Sequence, residues 1–356
     1  MKQRWEEKKL GEICDKASSN VSQNKLASED GDYPIYGARG FIKNVSFYHQ
    51  DKDYVSIIKD GAGIGKIALL PAYSSVIGTL QYLIPKKIMD IKYFYYLANS
   101  IDFWKYKNGS TIPHIYFKDY AVEPILVPPL SEQKRLVKVL DGVFEKIAKA
   151  KENAEKNLQN TRELFKSYLQ SVFANPGEEW EEKKLGEIIK LEYGKPLSNS
   201  KRKSDGVYPV YGANGEKDRS NEYYYDKYSI IVGRKGSAGE INLTEERFWP
   251  LDVTYFVTFD LKKYDLYFIY YILNHLKLPK LAKGVKPGIN RNEVYSIDVH
   301  IPTLSEQRRI VAKLDTLSAE TKKLEVKYQQ KLDDLEELKK AILQKAFKGE
   351  LIGVQL

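Results

Sequence analysis

Apolar side chains recur along residues 131–173 in steps of three and four: Leu136, Leu140, Val143, Ile147, Ala154, Leu158, Phe165, Tyr168 and Val172. That spacing puts them on one stripe of a helix whose other faces carry Lys and Glu. No proline interrupts the run, and Pro128 and Pro129 stop whatever precedes it. Ser131 suits an N-cap, with Glu132 and Gln133 in the first turn, where negative charge complements the helix dipole. Such a helix would extend roughly 60 Å, too long for one small domain to cover. A second run over 305–347, after Pro302, carries a like stripe at Ile310, Leu314, Leu317, Leu324, Tyr328, Leu335, Leu338 and Ile342. The pattern predicts two long helices zipped together, each with a globular region attached.

Outside the helices the period shortens. Tyr54–Ile58, Lys66–Leu70 and a segment ending at Tyr82–Pro85 read as strands, with Asp60–Gly65 as a turn. A short aromatic helix is predicted over 91–104, and Ile125–Val127 closes the region. The plan returns at Tyr228–Gly233, Ile241–Leu243, Thr254–Phe259 and a helix over Asp265–His275. The letters return too. The Trp5-to-Ile13 segment WEEKKLGEI reappears from Trp180 to Ile188, Tyr33-Pro34-Ile35-Tyr36-Gly37-Ala38 as Tyr208-Pro209-Val210-Tyr211-Gly212-Ala213, and Leu130-Ser131-Glu132-Gln133 as Leu304-Ser305-Glu306-Gln307. The three anchors keep one register to within a residue, which marks a tandem duplication.

The expected organisation is α+β. A globular domain over 1–130 is followed by a long helix over 131–174, then a second domain over 175–304 and a second helix with a C-terminal tail over 305–356. Asn175-Pro176-Gly177 is the hinge. Because the chain crosses a whole domain after a short hinge, the helices are expected to pack as an antiparallel coiled coil, with the domains related by a pseudo-two-fold axis. The Tyr-Pro-Ile/Val-Tyr-Gly-Ala anchor is expected to be a structural turn. Gly142 within the first helix costs about 1 kcal/mol relative to Ala and could mark a bend.

Composition narrows the chemistry. The 356 residues hold 57 Lys+Arg against 48 Asp+Glu, a net +9 that leans towards a polyanion partner. The 27 Tyr are more than cores usually take, because a buried hydroxyl needs a partner. One Cys and four His exclude a disulfide framework and argue against a Cys- or His-based metal site. No apolar run approaches the ~20 residues of a membrane span, and the N-terminus has no signal-peptide core, so a soluble cytoplasmic protein is expected.

The run from Gly61 to Lys66 lacks the spacing of a phosphate-cradling loop. Ile67 stands where Ser or Thr would be needed, and Glu240 takes the place of Lys66 in the second copy. A strand-connecting turn is the better reading. Neither a carboxylate cluster for a nuclease metal nor a cofactor-binding start with an aromatic–proline loop for a base methyltransferase is present, so the chain is expected to be non-catalytic.

Basic and polar residues gather on predicted loops where the copies diverge. In the first copy these are Arg39, Lys43, Lys59, Lys66, Lys107, Asn108, Ser110 and Thr111. In the second they are Asn214, Lys217, Arg219, Arg234, Lys235, Lys283, Lys286, Asn290 and Arg291. Arg pairs with guanine, Asn with adenine and Lys with phosphate, so the set is a candidate DNA surface.

The motifs Trp-x-x-x-x-Leu-Gly-Glu-Ile, Tyr-Pro-x-Tyr-Gly-Ala and Pro-x-Leu-Ser-Glu-Gln-x-Arg-Ile/Leu-Val, each occurring twice, resemble the specificity subunit of type I restriction–modification systems along essentially the whole chain. The resemblance implies two target-recognition domains reading the halves of a split double-stranded DNA site. It also implies helices that bind methyltransferase subunits. S-adenosylmethionine, ATP and Mg would belong to the methyltransferase and restriction subunits, with no cofactor in this chain. Two alternatives stand beside it: a coiled-coil protein-interaction scaffold, or the DNA-recognition part of a fused modification or restriction enzyme.

Overall fold

The computed structural model describes residues 5–350; the C-terminal tail over 351–356 lies outside them. The chain divides into two compact units, one taking residues 1–155 with 329–356 and the other residues 156–328. These units cut across the linear blocks read from the sequence, because each takes part of both long helices.

In the first unit, β1 (Glu6–Lys9) leads through a one-turn helix α1 (Leu10–Ile13) into β2 (Cys14–Ser18). There follow β3 (Tyr33–Gly37), β4 (Gly40–Val45), β5 (Tyr54–Ile58), β6 (Ile67–Leu70), β7 (Ser75–Val76) and β8 (Leu80–Pro85). Helix α2 (Ile91–Ser100), helix α3 (Phe117–Tyr120) and β9 (Pro124–Val127) precede the long α4 (Leu130–Ala174). The strands form sheets in the orders β2-β8-β5-β6, β4-β3-β7 and β1-β9. Every residue of β5 is buried, as expected of a central strand covered on both faces.

The second unit repeats this element for element. It contains β10 (Glu181–Lys184), α5 (Leu185–Ile188), β11 (Ile189–Tyr193), β12 (Tyr208–Gly212), β13 (Gly215–Ser220), β14 (Ser229–Gly233) and β15 (Ile241–Thr244). After β16 (Trp249–Pro250) and β17 (Thr254–Phe259) come α6 (Leu266–His275), α7 (Arg291–Tyr295), β18 (Asp298–Ile301) and α8 (Leu304–Phe347). Its sheets run β11-β17-β14-β15, β13-β12-β16 and β10-β18.

The predicted strands and helices are present, except that the aromatic helix expected over 91–104 ends at Ser100 and a 3-10 turn follows at Phe103–Tyr106. One anchor differs: Tyr33–Gly37 and Tyr208–Gly212 are strands rather than turns, each pairing antiparallel with one neighbour and parallel with another. The turn falls just after, at Ala38-Arg39 and Ala213-Asn214. Glycine in the Leu-Gly-Glu-Ile anchor has a packing reason, since a Cβ on Gly186 would lie 2.7 Å from the Tyr295 Cβ.

The long helices start one residue ahead of the serines. Gln133 N–H donates to Pro129 O at 3.0 Å and Gln307 N–H to Thr303 O at 2.9 Å, so Pro129 and Thr303 take the cap positions. The glutamine two residues after each serine fixes the helix to its domain. Both Gln133 and Gln307 are buried. Gln133 Oε1 accepts from Asp90 N–H at 2.8 Å while its Nε2 donates to Ile88 O and Pro128 O at 2.9 and 2.8 Å. Gln307 Oε1 likewise accepts from Asp265 N–H at 2.8 Å, and its Nε2 reaches Pro302 O and Lys263 O at 2.9 and 3.2 Å. Asp90 and Asp265 are themselves the side-chain caps of α2 and α6. Two turns further along each long helix, Tyr96 donates to Asp141 at 2.5 Å and Tyr271 to Asp315 at 2.6 Å.

In the first unit Leu136, Leu140 and Phe144 of α4 share a core with Ile342, Leu343, Ala346 and Phe347 of α8, and Lys151 pairs with Glu336 at 2.6 Å. In the second, Phe165, Leu169 and Val172 pack on the core containing Ile310, Val311 and Leu314, and Arg162 pairs with Glu325 at 3.2 Å. The helices are therefore antiparallel. Two positions of the predicted stripe, Leu324 and Leu338, are exposed instead. Thr161 and Thr321 are buried in the helices, each hydroxyl donating to the carbonyl one turn back, at Asn157 and Leu317, which satisfies a polar group without a partner helix. Helix α4 runs unbroken through Gly142.

Replacing Gln307 by Leu keeps the volume but strands the Asp265 N–H and two carbonyls. We expect a loss of about 1–3 kcal/mol, read as a lower midpoint in urea unfolding. An unchanged midpoint would show that the amide is dispensable.

Candidate nucleic-acid interface

In the second unit β14 ends at Gly233 and the chain turns through 234–240 into β15. Backbone hydrogen bonds stitch this turn to the loop over 283–290: Gly236 N–H to Pro287 O at 2.9 Å and Ile289 N–H to Arg234 O at 3.1 Å; within the loop Lys283 and Gly288 exchange a pair at 3.0 Å. A Cβ on Gly233 would lie 2.6 Å from Ala213 O, so the Ala213-Asn214 turn sits against the same strand end. Asn214, Arg234, Lys235, Lys283, Lys286, Asn290 and Arg291 are thereby gathered on adjoining loops. Part of this surface is an open concavity of about 490 Å³ lined by Tyr193, Tyr255 and residues 288–292.

The polar groups there are not equivalent. Arg234 donates Nε and Nη2 to Asp252 O at 3.0 and 2.5 Å, and its guanidinium lies 5.4 Å from the Tyr193 ring. Arg291 lies 5.1 Å from the same ring. Lys283 pairs with Glu293 at 2.6 Å, and Asn290 Oδ1 caps α7 by accepting from Asn292 N–H at 2.9 Å. Lys235 and Lys286 are exposed. Burial, with the Tyr193 hydroxyl beside it, pushes the Tyr255 phenol up to about 12 against the opposing pull of Arg234 and Arg291, so it stays protonated at neutral pH.

The first unit uses the same stitching. Gly61 N–H donates to Pro113 O at 2.8 Å, Ile115 N–H to Lys59 O at 2.9 Å, and Asn108 and His114 exchange bonds of 2.8 and 2.9 Å. Gly61 and Gly65 take φ of 93° and 80°, values that suit glycine. This gathers Lys59, Lys66, Lys107, Asn108, Ser110 and Thr111. Lys107 lies 5.7 Å from the Trp104 ring and Lys118 5.7 Å from the Tyr116 ring. Both rings are about half exposed, at 50% and 49%. Arg39 is exposed on the turn that corresponds to Asn214.

Three candidates lie on strands rather than loops. Lys43 on β4 donates its ammonium to Glu29 O. Arg219 on β13 donates to Gly206 O at 2.9 Å and Val207 O at 2.6 Å, and pairs with Glu216 and Glu246. Both side chains fasten their own domains. Lys217, also on β13, is exposed. Conversely, Tyr193, Tyr255, Trp104 and Tyr116 belong to these surfaces and were not singled out from sequence; the excess of tyrosine was the available signal. Among the described residues no group of three or more His, Cys, Asp or Glu is placed to hold a metal. No helix among them is long and apolar enough to cross a membrane.

The family model described as the type I restriction modification DNA specificity domain matches residues 2–157 and again 177–337. The chain belongs to that family. The specificity subunit of the type I restriction enzyme EcoDI from Escherichia coli is 30% identical over 176 residues, covering 49% of this chain and 39% of its own length. The MjaVIII specificity subunit from Methanocaldococcus jannaschii is 27% identical over 340 residues, covering 83% of this chain and 79% of its own. The HsdS subunit from Thermoanaerobacter tengcongensis shares the fold with a TM-score of 0.61 at 18% identity, covering 98% of this chain and 97% of that one. A chain from a structure of type I R-M complex assembly and conformational transition does so at 0.79 and 18%, covering 99% and 100%.

As specificity domains, the two copies keep their skeleton and change their surface. Tyr193 ends β11 where Ser18 ends β2, and Tyr255 occupies the place on β17 that Gln81 has on β8. Arg234 follows β14 as Lys59 follows β5, and Arg291 opens α7 as Phe117 opens α3.

If Arg219 is a fastener, Arg219→Met should lower the melting temperature by the loss of roughly 1–3 kcal/mol of charged hydrogen bonding. Lys286→Ala should leave it unchanged. Equal melting of both variants would mean Arg219 carries no structural bonds in solution.

Proposed function

We propose that this chain is the non-catalytic, sequence-reading subunit of a type I restriction–modification complex, each unit reading one half of a bipartite double-stranded DNA site. One observation carries the reading: two domains with the same strand orders and the same buried glutamine and tyrosine locks differ in the residues on their stitched loops. A scaffold binding one kind of protein surface has no reason to vary there. A reader of two unlike half-sites does. Exposed Lys66, Lys107, Lys235 and Lys286 suit phosphates, and the exposed rings supply stacking and cation–π surface.

The methyltransferase and restriction subunits are the partners in this reading. They would bring S-adenosylmethionine, ATP and Mg, and the complex would work in the cytoplasm. A groove of about 1080 Å³ in the second unit, lined in part by Phe165, Leu169, Tyr267 and Tyr270, is a suitable seat for a partner helix.

Exchange of residues 14–125 for the matching segment of another specificity domain should rewrite one half of the selected DNA site and leave the other intact. A change in both halves would end the one-domain, one-half-site picture. Separately, Lys235→Ala with Lys286→Ala should weaken binding uniformly and reduce the slope of log affinity against log salt by about 1.8, at ~0.9 per phosphate contact. An unaltered slope would place both lysines away from DNA.

A further inference from the structure

We propose that Arg291 is the guanine-reading residue of the second unit and that Tyr193 is the residue that positions it. This rests on the DNA-reading function proposed above and adds a named base to it.

The cations around the concavity differ in what they have left to offer. Arg234 spends two donors on Asp252 O, and Lys283 is paired with Glu293. Lys235 and Lys286 are single-point donors that suit phosphate. Among the described residues, no hydrogen bond or ion pair engages the Arg291 guanidinium, which lies 5.1 Å from the Tyr193 ring and near the Tyr255 phenol. A guanidinium set beside a ring with no hydrogen bond of its own keeps its N–H donors free, in a planar fork. Guanine offers a matching pair of acceptors, O6 and N7, in the major groove.

The platform under Arg291 is rigid on both sides. Asn290 caps α7 and so fixes the backbone where Arg291 begins it. Val294 is fully buried, and the Tyr295 hydroxyl accepts from Leu191 N–H at 2.7 Å. Tyr193 is paired across the sheet with Tyr255, their rings 5.1 Å apart. A side chain supported this way loses little freedom on meeting a base. The first unit has Phe117 at the place of Arg291 and Ser18 at that of Tyr193, so it lacks this device. The guanine preference belongs to one half-site alone.

The test is selection of duplexes from a randomised pool by the full chain, comparing the native protein with Arg291→Ala, Arg291→Lys, Tyr193→Leu and Tyr193→Phe. The native protein should prefer guanine at one position of one half-site by on the order of tenfold to a hundredfold. Arg291→Ala should abolish that preference and no other. Arg291→Lys, which keeps the charge and lacks the fork, should also lose it while keeping the salt slope. Tyr193→Phe should retain the preference and Tyr193→Leu should reduce it. Uniform weakening by Arg291→Ala with base preferences intact would make Arg291 a phosphate contact and overturn the assignment alone. Full retention of the guanine preference by Arg291→Lys would overturn it too. A native protein with no base preference anywhere would remove the DNA-reading function, and this assignment with it.

Discussion

A single buried amide at the root of each long helix holds this molecule in order. Gln133 and Gln307 each bond three backbone groups: the first N–H of a domain-helix cap, the carbonyl of the proline before the long helix, and a carbonyl in the loop preceding the domain helix. No other uncharged side chain of that length both donates twice and accepts. The glutamine thus converts a junction between domain and helix, normally a place for a hinge, into a fixed angle. The Tyr96–Asp141 and Tyr271–Asp315 bonds two turns on repeat the restraint at a second point, so the helix can neither slide nor roll against its domain.

That restraint explains the division between what the two copies share and what they do not. The buried amide, the capping aspartates and the Leu-Gly-Glu-Ile turn have partners whose positions are set by backbone geometry, and substitution leaves buried polar groups unpaired or atoms overlapping. The stitched loops have no such obligation. Their contacts with one another run between backbone N–H and C=O groups, as from Gly61 to Pro113 and from Gly236 to Pro287. Side chains on them with no bond inside the domain, such as Lys235 and Lys286, therefore answer to whatever lies outside it.

Most of the framework was legible in the sequence because it rests on period and repetition. The stripes from Leu136 and Ile310 marked the helices, and the strands at Tyr54–Ile58 and Thr254–Phe259 were read to the residue. The cap expected at Ser131 lies two residues earlier because Pro129, like Thr303 in the second copy, already presents the first carbonyl. Leu324 and Leu338 fit the helical period yet face out, since period alone cannot say which of two neighbouring stripes a partner will cover. The surface was only half legible. Charge and divergence singled out Arg234, Lys235 and Arg291, which the fold gathers on adjoining loops, and equally Lys43 and Arg219 on strands, whose donors turn inward to carbonyls distant in sequence. Tyr193 and Tyr255 were hidden because a strand tyrosine looks the same whether it fills a core or floors a concavity.

The backbone stitching of the loops has an evolutionary meaning. A loop whose shape is kept by main-chain bonds can trade one side chain for another without passing through a misfolded intermediate. Residues at exposed positions such as Arg39 and Asn214, on matching turns, can then be exchanged with little cost in stability. Duplication followed by drift at such positions is enough to give one gene two unlike recognition surfaces on one inherited scaffold.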